Sequence, residues 1–243
     1  SIRLDKMKKV LCILLFVGLN FCTYAQNLRV VTEEFPPYQT VVNGELTSGT
    51  SLFIVKEMLK RARFNTRIEV LPWARAYTIA NTKPNVIIFS IARNVERETH
   101  FHWLYNLENL NYYFYTLTAR KDLQIKKLSE IFKHTIVAVR GSFEANSLLK
   151  MGFVKNQNLM LSQNYRDAWQ MVMLGRAEFT YANQLIEDEI FEPSDGKPAL
   201  FSRRFSTGER SELYVAASTN TDHAILKRLK ISLLSMQQDG SIE

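Results

Sequence analysis

The feature that most constrains the fold is an alternation of short apolar runs with segments of helical period, which occurs in two successive series along the chain. This alternation predicts parallel strands covered by helices. The first series predicts strands over 28–32, 67–71 and 86–89, with helices over 51–63 and 73–82. The second predicts strands over 135–139, 159–162 and 177–181, with helices over 143–151 and 165–174. Each series is one β-α-β-α-β layer, so the chain repeats an architecture.

Two further extended segments separate and follow the two layers. The aromatic stretch 111–119 suits a strand that crosses from the first layer to the second, and 213–218 suits the return. Two crossings predict a hinge between two lobes, with 26–110 and 213–243 in lobe 1 and 111–212 in lobe 2. After the return, Asp222 is placed to cap a last helix with an apolar face.

The N-terminal region has the three parts of a secretory signal. Lys8 and Lys9 precede an apolar run over 10–19, and Ala25 ends a small-residue cleavage pattern. We therefore expect 1–25 to comprise a few residues upstream of Met7 plus the signal, and the mature chain to reach the periplasm. A membrane anchor is disfavoured because spanning a bilayer takes about 20 apolar residues.

Composition narrows the chemistry further. Both cysteines, Cys12 and Cys22, fall inside the predicted signal, so no disulfide or thiol site is expected in the mature chain. Lipidation at Cys22 is disfavoured by the bulky Phe21 before it. The formal net charge of +7 falls to +4 once residues 1–25, with four basic and one acidic side chain, are removed. That balance is too mild to predict nucleic-acid binding.

Motifs for metal or cofactor chemistry are lacking. His100 and His102 are two residues apart, but no HExxH pattern or cysteine partner accompanies them. Walker, Rossmann and GxSxG patterns do not occur either. We therefore predict no metal, no cofactor and no enzymatic activity.

Candidate ligand-binding residues follow from the strand order. In open parallel sheets, ligands bind beyond the carboxyl ends of the strands. Aromatic, hydroxyl, amide and guanidinium groups gather at those exits, namely Tyr38, Trp73, Arg75, Ser90, Arg93, Arg140, Ser142 and Asn183. Because three of them are arginines, this set favours an anionic ligand over a zwitterion.

Several short motifs occur at these exits and later in the chain, in a characteristic order. They are Phe35-Pro36-Pro37-Tyr38, Pro72-Trp73, Ser90-Ile91-Ala92-Arg93-Asn94-Val95-Glu96-Arg97, Gly141-Ser142, Gly175-Arg176-Ala177-Glu178 and Gln238-Asp239-Gly240. From Leu28 to its end the chain resembles the family 3 extracellular solute-binding proteins of amino-acid transporters. The resemblance implies an α/β, type II periplasmic binding protein fold with two lobes and a hinge of two crossing strands. It also implies a monomer that delivers a small carboxylate-bearing, amino-acid-like ligand to an ABC transporter permease.

In amino-acid binders of that family, a hydroxyl-bearing loop and an arginine clamp the ligand's carboxylate. The matching positions are Ser90, Ala92 and Arg97, and an arginine fork can give a carboxylate two parallel hydrogen bonds. Ala92 lacks the hydroxyl that many relatives have there. Asn183 stands where they place an aspartate for the ligand's ammonium group, and an amide brings no charge.

Alternatives remain open at this point. Arg97 also suits a solvated position at a helix start, and Tyr38 and Trp73 also suit core packing. A carboxylate-processing, dehydratase-like enzyme would need acids in the cleft, for which Glu34 and Glu178 are the candidates. A third possibility is the ligand-binding domain of a sensor.

Overall fold

The computed structural model describes residues 28–184 and 200–243, so the predicted signal 1–25 with its cysteines lies outside the described residues. The strands are β1 (Arg29–Thr32), β2 (Thr40–Val42), β3 (Glu45–Ser48), β4 (Ile68–Val70), β5 (Val86–Arg93), β6 (Phe101–Leu117), β7 (Ile136–Val139), β8 (Leu159–Ser162), β9 (Phe179–Asn183) and β10 (Phe201–Ser218). The helices are α1 (Thr50–Arg61), α2 (Trp73–Thr82), α3 (Leu128–Ile131), α4 (Phe143–Met151), α5 (Tyr165–Met173) and α6 (His223–Gln238). Within the described ranges, no helix has the length and hydropathy needed to cross a bilayer.

Eight strands form one sheet in the order β4-β1-β5-β10-β6-β9-β7-β8. At one end β4, β1 and β5 are mutually parallel, and we call them the first strand group. At the other end β9, β7 and β8 are mutually parallel, and we call them the second strand group. The predicted α/β class with two parallel layers is confirmed.

The two strand groups are joined by a long antiparallel ladder. β6 and β10 pair from Phe201 opposite Leu117 to Ser218 opposite Phe101. β10 also pairs with β5 of the first group, while β6 pairs with β9 of the second. The sequence predicted crossings over 111–119 and 213–218. Residues 111–117 and 213–218 prove to be parts of longer strands, whereas 118 and 119 lie in a turn after the end of β6. Register shifts interrupt the ladder, and such bulges let paired strands bend.

Side-chain caps explain where the helices of the second group begin. The Ser142 hydroxyl accepts the N–H of Ala145 at 3.1 Å, and the Asn164 side chain accepts the N–H of Asp167 at 2.8 Å. Such caps satisfy N–H groups that the first helical turn leaves unpaired. Since α4 follows β7 closely, its N-terminus lies at the carboxyl end of the second group.

The core lies on both faces of this sheet. On the first group, α1 and α6 bury Val55, Met58 and Leu229 against strand residues such as Ile87. A larger apolar cluster extends along the rest of the sheet and includes residues of both groups. β5 has no solvent-exposed face, because every residue from Val86 to Ala92 is buried.

A β2–β3 hairpin, which has no counterpart among the predicted elements, lies between the loop after β1 and the start of α1. The carbonyl of Tyr38 accepts the N–H groups of Ser51 and Leu52 at 3.0 and 3.2 Å, at the start of α1. Gly49 precedes that helix with φ +124°, and a Cβ there would overlap the carbonyl of Tyr38. Only glycine permits this close approach.

Replacing Gly49 by alanine should therefore destabilise the protein strongly. We expect a loss of about 3 kcal/mol or more in the free energy of unfolding, measured by urea denaturation. Gly44→Ala is the matched control, because its φ of +81° is also left-handed but nothing lies within 4 Å of the added Cβ. That variant should lose only about 1 kcal/mol. Equal losses in the two variants would contradict the role of the contact with Tyr38.

Candidate ligand-binding site

A small cavity lies where the carboxyl ends of the two strand groups face each other. Its volume is about 10 Å³, which is room for about one water molecule. Its wall consists of Glu33, Phe35, Trp73, Ser90, Ala92, Arg97, Leu110, Tyr112, Ser142, Phe143, Glu144, Tyr165 and Leu213. Both strand groups and both long strands therefore contribute to one site.

Arg97 is the cation on the cavity wall. Its side chain lies in the turn after β5, and the residue is only 3% exposed. Nη1 donates to the carbonyl of Ala92 at 2.9 Å, and Nη2 donates to the carbonyl of Gly141 at 3.3 Å. The guanidinium carbon lies 5.4 Å from the ring centre of Trp73 and 5.0 Å from that of Tyr77. Burial lowers the pKa of Arg97, but a guanidinium stays protonated in proteins.

Contacts across the cavity hold the two strand groups together. The carbonyl of Gly141, after β7, also accepts the indole N–H of Trp73 at 2.8 Å. The rings of Phe35 and Tyr165 stack with their centres 4.6 Å apart. Thus side chains of the first group and the start of α4 and α5 meet directly.

A backbone irregularity aims Ser90 at the site. Ser90 has φ +57°, unusual for a residue with a Cβ, and β10 shifts its register opposite it. Its hydroxyl donates to Oε1 of Gln39 at 2.6 Å, and Gln39 Nε2 donates to the carbonyl of Glu33 at 3.2 Å. The bulge therefore links β5 to the backbone of an acidic residue on the wall.

Two buried carboxylates, Glu33 and Glu144, complete the charged wall. They are 4% and 2% exposed. The hydroxyl of Tyr165 donates to both oxygens of Glu144 at 3.0 Å, whereas Oε2 of Glu33 has no hydrogen-bond partner within the described part of the chain. Burial raises the pKa of both groups, and the nearby Glu144 raises that of Glu33 further.

Comparison with solved structures gives a consistent result. The P235GK mutant of ArgBP from T. maritima superimposes with a TM-score of 0.75 at 16% identity, covering 88% of this chain and 90% of that one. The arginine-, lysine-, histidine-binding protein ArtJ from Geobacillus stearothermophilus gives 0.75 at 12% identity, covering 88% and 91%. A histidine kinase sensor domain with similarity to periplasmic binding proteins gives 0.74 at 12% identity, covering 89% and 92%. No family model and no curated protein matches the sequence.

The chain has the type II periplasmic binding protein fold. This confirms the predicted fold class. Identities this low establish the architecture alone, so the ligand must be argued from the residues on the cavity wall.

In this binding-protein fold, five of the residues predicted from the sequence line the cavity, namely Trp73, Ser90, Ala92, Arg97 and Ser142. Their roles differ from those implied by the resemblance. The hydroxyl of Ser90 is engaged with Gln39, and Ala92 contributes its carbonyl, which positions Arg97. Ser142 caps α4. Their contact with ligand stays a prediction.

Four other predicted residues lie off the cavity wall. Arg75 and Arg140 are exposed. Tyr38 is buried and packs on Phe35, with ring centres 5.1 Å apart. Asn183 is fully buried in β9, and its carbonyl accepts the hydroxyl of Tyr115.

The remaining charged candidates are occupied elsewhere. Arg93 pairs with Glu98 and lies over the rings of Trp103 and Tyr214. Glu34 pairs with Arg166 at 2.6 Å. Glu178, in turn, accepts the N–H of Thr135 at 3.0 Å. None of these charged groups lines the cavity.

Sequence reasoning missed the two acids that do line it. Glu33 directly follows β1, so the rule that selected the other strand exits also covers it. Glu144 is two residues beyond the helix cap Ser142, where a carboxylate suits a helix N-terminus. Both acids would have been found by including every polar residue from the end of each strand to the first turn of the helix that follows it.

The buried Glu33 predicts a pH-dependent stability of the ligand-free protein. Its folded-state pKa is raised, so stability falls as pH rises from its unfolded value of about 4.3 through the folded value. Glu33→Gln cannot ionise and should therefore melt higher than wild type at pH 8, with a difference that shrinks towards pH 4. Each kcal/mol corresponds to about 2–4 °C in a chain of this size.

Glu57→Gln is a control of opposite sign, because Arg61 lowers the pKa of Glu57. This variant should lose stability relative to wild type as the pH rises. A difference between Glu33→Gln and wild type that does not vary with pH would contradict the buried-acid interpretation.

Proposed function

We propose that the chain is a solute-binding protein whose cleft closes around a small, amino-acid-like carboxylate. In this proposal the mature protein is a periplasmic monomer that delivers its ligand to an ABC permease and catalyses no reaction. The observation that carries the proposal is the buried guanidinium of Arg97 on the wall of the cavity between the two strand groups.

Arg97 suits a carboxylate because of what it already binds. Its two hydrogen bonds go to backbone carbonyl oxygens, and a guanidinium presents five N–H donors in a fork that matches carboxylate geometry. When a ligand binds, its charged carboxylate would replace a neutral acceptor of Arg97, such as the Gly141 carbonyl. Charge-assisted hydrogen bonds are roughly twice as strong as neutral ones.

Binding requires the cavity walls to move apart. A cavity of about 10 Å³ is too small for an amino acid, so the contacts of Gly141 with Trp73 and Arg97 must open first. β6 and β10 connect the two strand groups, and we place the hinge of that motion within this ladder. The affinity would then depend on the contacts that the ligand makes in the closed state but not in the open state.

The comparisons support an amino-acid ligand, since ArgBP and ArtJ are described by the amino acids that they bind. A second candidate function is ligand sensing, which the similarity to a histidine kinase sensor domain favours. Both functions use the same cleft.

The role of Arg97 can be tested by substitution. Arg97→Ala should weaken binding of the native ligand by about 2–5 kcal/mol, or roughly 30-fold to several-thousand-fold, because the carboxylate loses its charged partner in a closed cleft. Arg97→Lys should recover only part of this loss, since an ammonium lacks the bidentate fork. Isothermal titration calorimetry measures both, with thermal melts to check folding.

Arg93→Ala is the matched control, because Arg93 lies four residues away, pairs with Glu98 and does not line the cavity. Its effect on affinity should be small. Binding by Arg97→Ala within about threefold of wild type would show that the carboxylate clamp is misplaced.

A further inference from the structure

The charges on the cavity wall do not balance. Glu33, Glu144 and Arg97 line the same small space, and each is at most 4% exposed. Two carboxyl groups thus face one guanidinium. Ionising both of them would leave a net negative charge that water cannot solvate, which is costly unless a cationic ligand compensates it.

Glu33 shows where the imbalance is greatest. It is 4% exposed, and its Oε2 has no hydrogen-bond partner within the described residues. A buried carboxylate oxygen normally has a donor, so an unpartnered one on a cavity wall indicates a donor from a ligand. Its neighbour Glu34, by contrast, already pairs with Arg166.

Glu144 is better prepared to stay ionised. It lies in the first turn of α4, where the helix dipole favours a negative charge, and Tyr165 donates to both of its oxygens. Its charge remains after those hydrogen bonds are made, because a tyrosine donor is neutral.

A ligand that carries only a carboxylate would increase the excess of acidic groups over cations in the site. Once Arg97 pairs with the ligand's carboxylate, Glu33 and Glu144 both face the remainder of that ligand. Two positive charges on the ligand would then neutralise the site.

We propose that Glu33 and Glu144 receive the basic groups of a ligand that carries one carboxylate and two cationic groups, and so has a net charge of +1. This inference rests on the proposed function. The positive net charge of this ligand is opposite to the negative charge that Arg75, Arg93 and Arg140 suggested from the sequence, and those arginines lie off the cavity wall. In this proposal Glu33 and Glu144 supply the negative charge for the ligand's ammonium group, which the neutral amide of Asn183 cannot supply.

The test compares two probes that differ in charge but hardly in shape. L-Arginine has a guanidinium where L-citrulline has a neutral urea, and L-lysine and L-norleucine form a second such pair. Calorimetry on wild type should show arginine binding at least about tenfold more tightly than citrulline. Glu33→Gln and Glu144→Gln should each weaken arginine binding at least about tenfold, because each removes the partner of one cationic group. The variant at the acid that receives the guanidinium should also lose most of the preference over citrulline, whereas the variant at the acid that receives the α-ammonium should weaken both probes.

Glu34→Gln is the matched control and should keep the full preference, because Glu34 lies outside the cavity. Equal binding of arginine and citrulline, tighter binding of glutamate or norleucine, or an unchanged preference in both Gln variants would overturn the inference while leaving the proposed function intact. If none of these amino acids binds wild type, the proposed function fails and the inference fails with it.

Discussion

The antiparallel ladder between β6 and β10 determines where a ligand can bind. It joins two groups of parallel strands and places their carboxyl ends opposite each other. Leu110 and Tyr112 on β6 and Leu213 on β10 contribute to the cavity wall, so the same strands that connect the groups also line the site. Bending of this ladder is the simplest motion that opens the cavity, because it leaves the packing within each group undisturbed.

Burial of charge then gives the site its chemistry. A guanidinium and two carboxyl groups that are almost fully buried interact more strongly with a charged ligand than they would in water. The site also keeps features that lower stability, namely the left-handed backbone of Ser90 and the unpartnered oxygen of Glu33. Strain and unsatisfied polar groups of this kind are typical of functional sites, where a ligand supplies the missing contacts.

Much of the fold could be predicted from the sequence because local signals agree with the tertiary structure. The bounds predicted for α2, α4 and β8 match those observed. For the two helices, the ends are marked by Pro72 and the Ser142 hydroxyl at the starts and by the left-handed Gly152 at the end of α4. The full lengths of β6 and β10 were not predictable. Most residues over 102–109 are partly exposed, so the pattern that marks a half-buried strand is absent there.

The site was harder to predict than the fold, because its composition depends on the direction in which individual side chains point. Glu33 and Glu34 are adjacent acids after β1, yet one faces the cavity and the other pairs with Arg166. The sequence places Arg93 at a strand exit, but the register of β6 and β10 brings Trp103 and Tyr214 against it. Such outcomes depend on long-range pairing that a strand-exit rule does not contain.

The most direct test of the account is the identity of the molecule that the protein carries. Native mass spectrometry of gently purified protein, followed by release of the ligand, would give the ligand's mass and composition. We expect one bound molecule per chain, with a carboxylate and basic nitrogen. A bound molecule without a carboxylate, such as a neutral sugar, would contradict it.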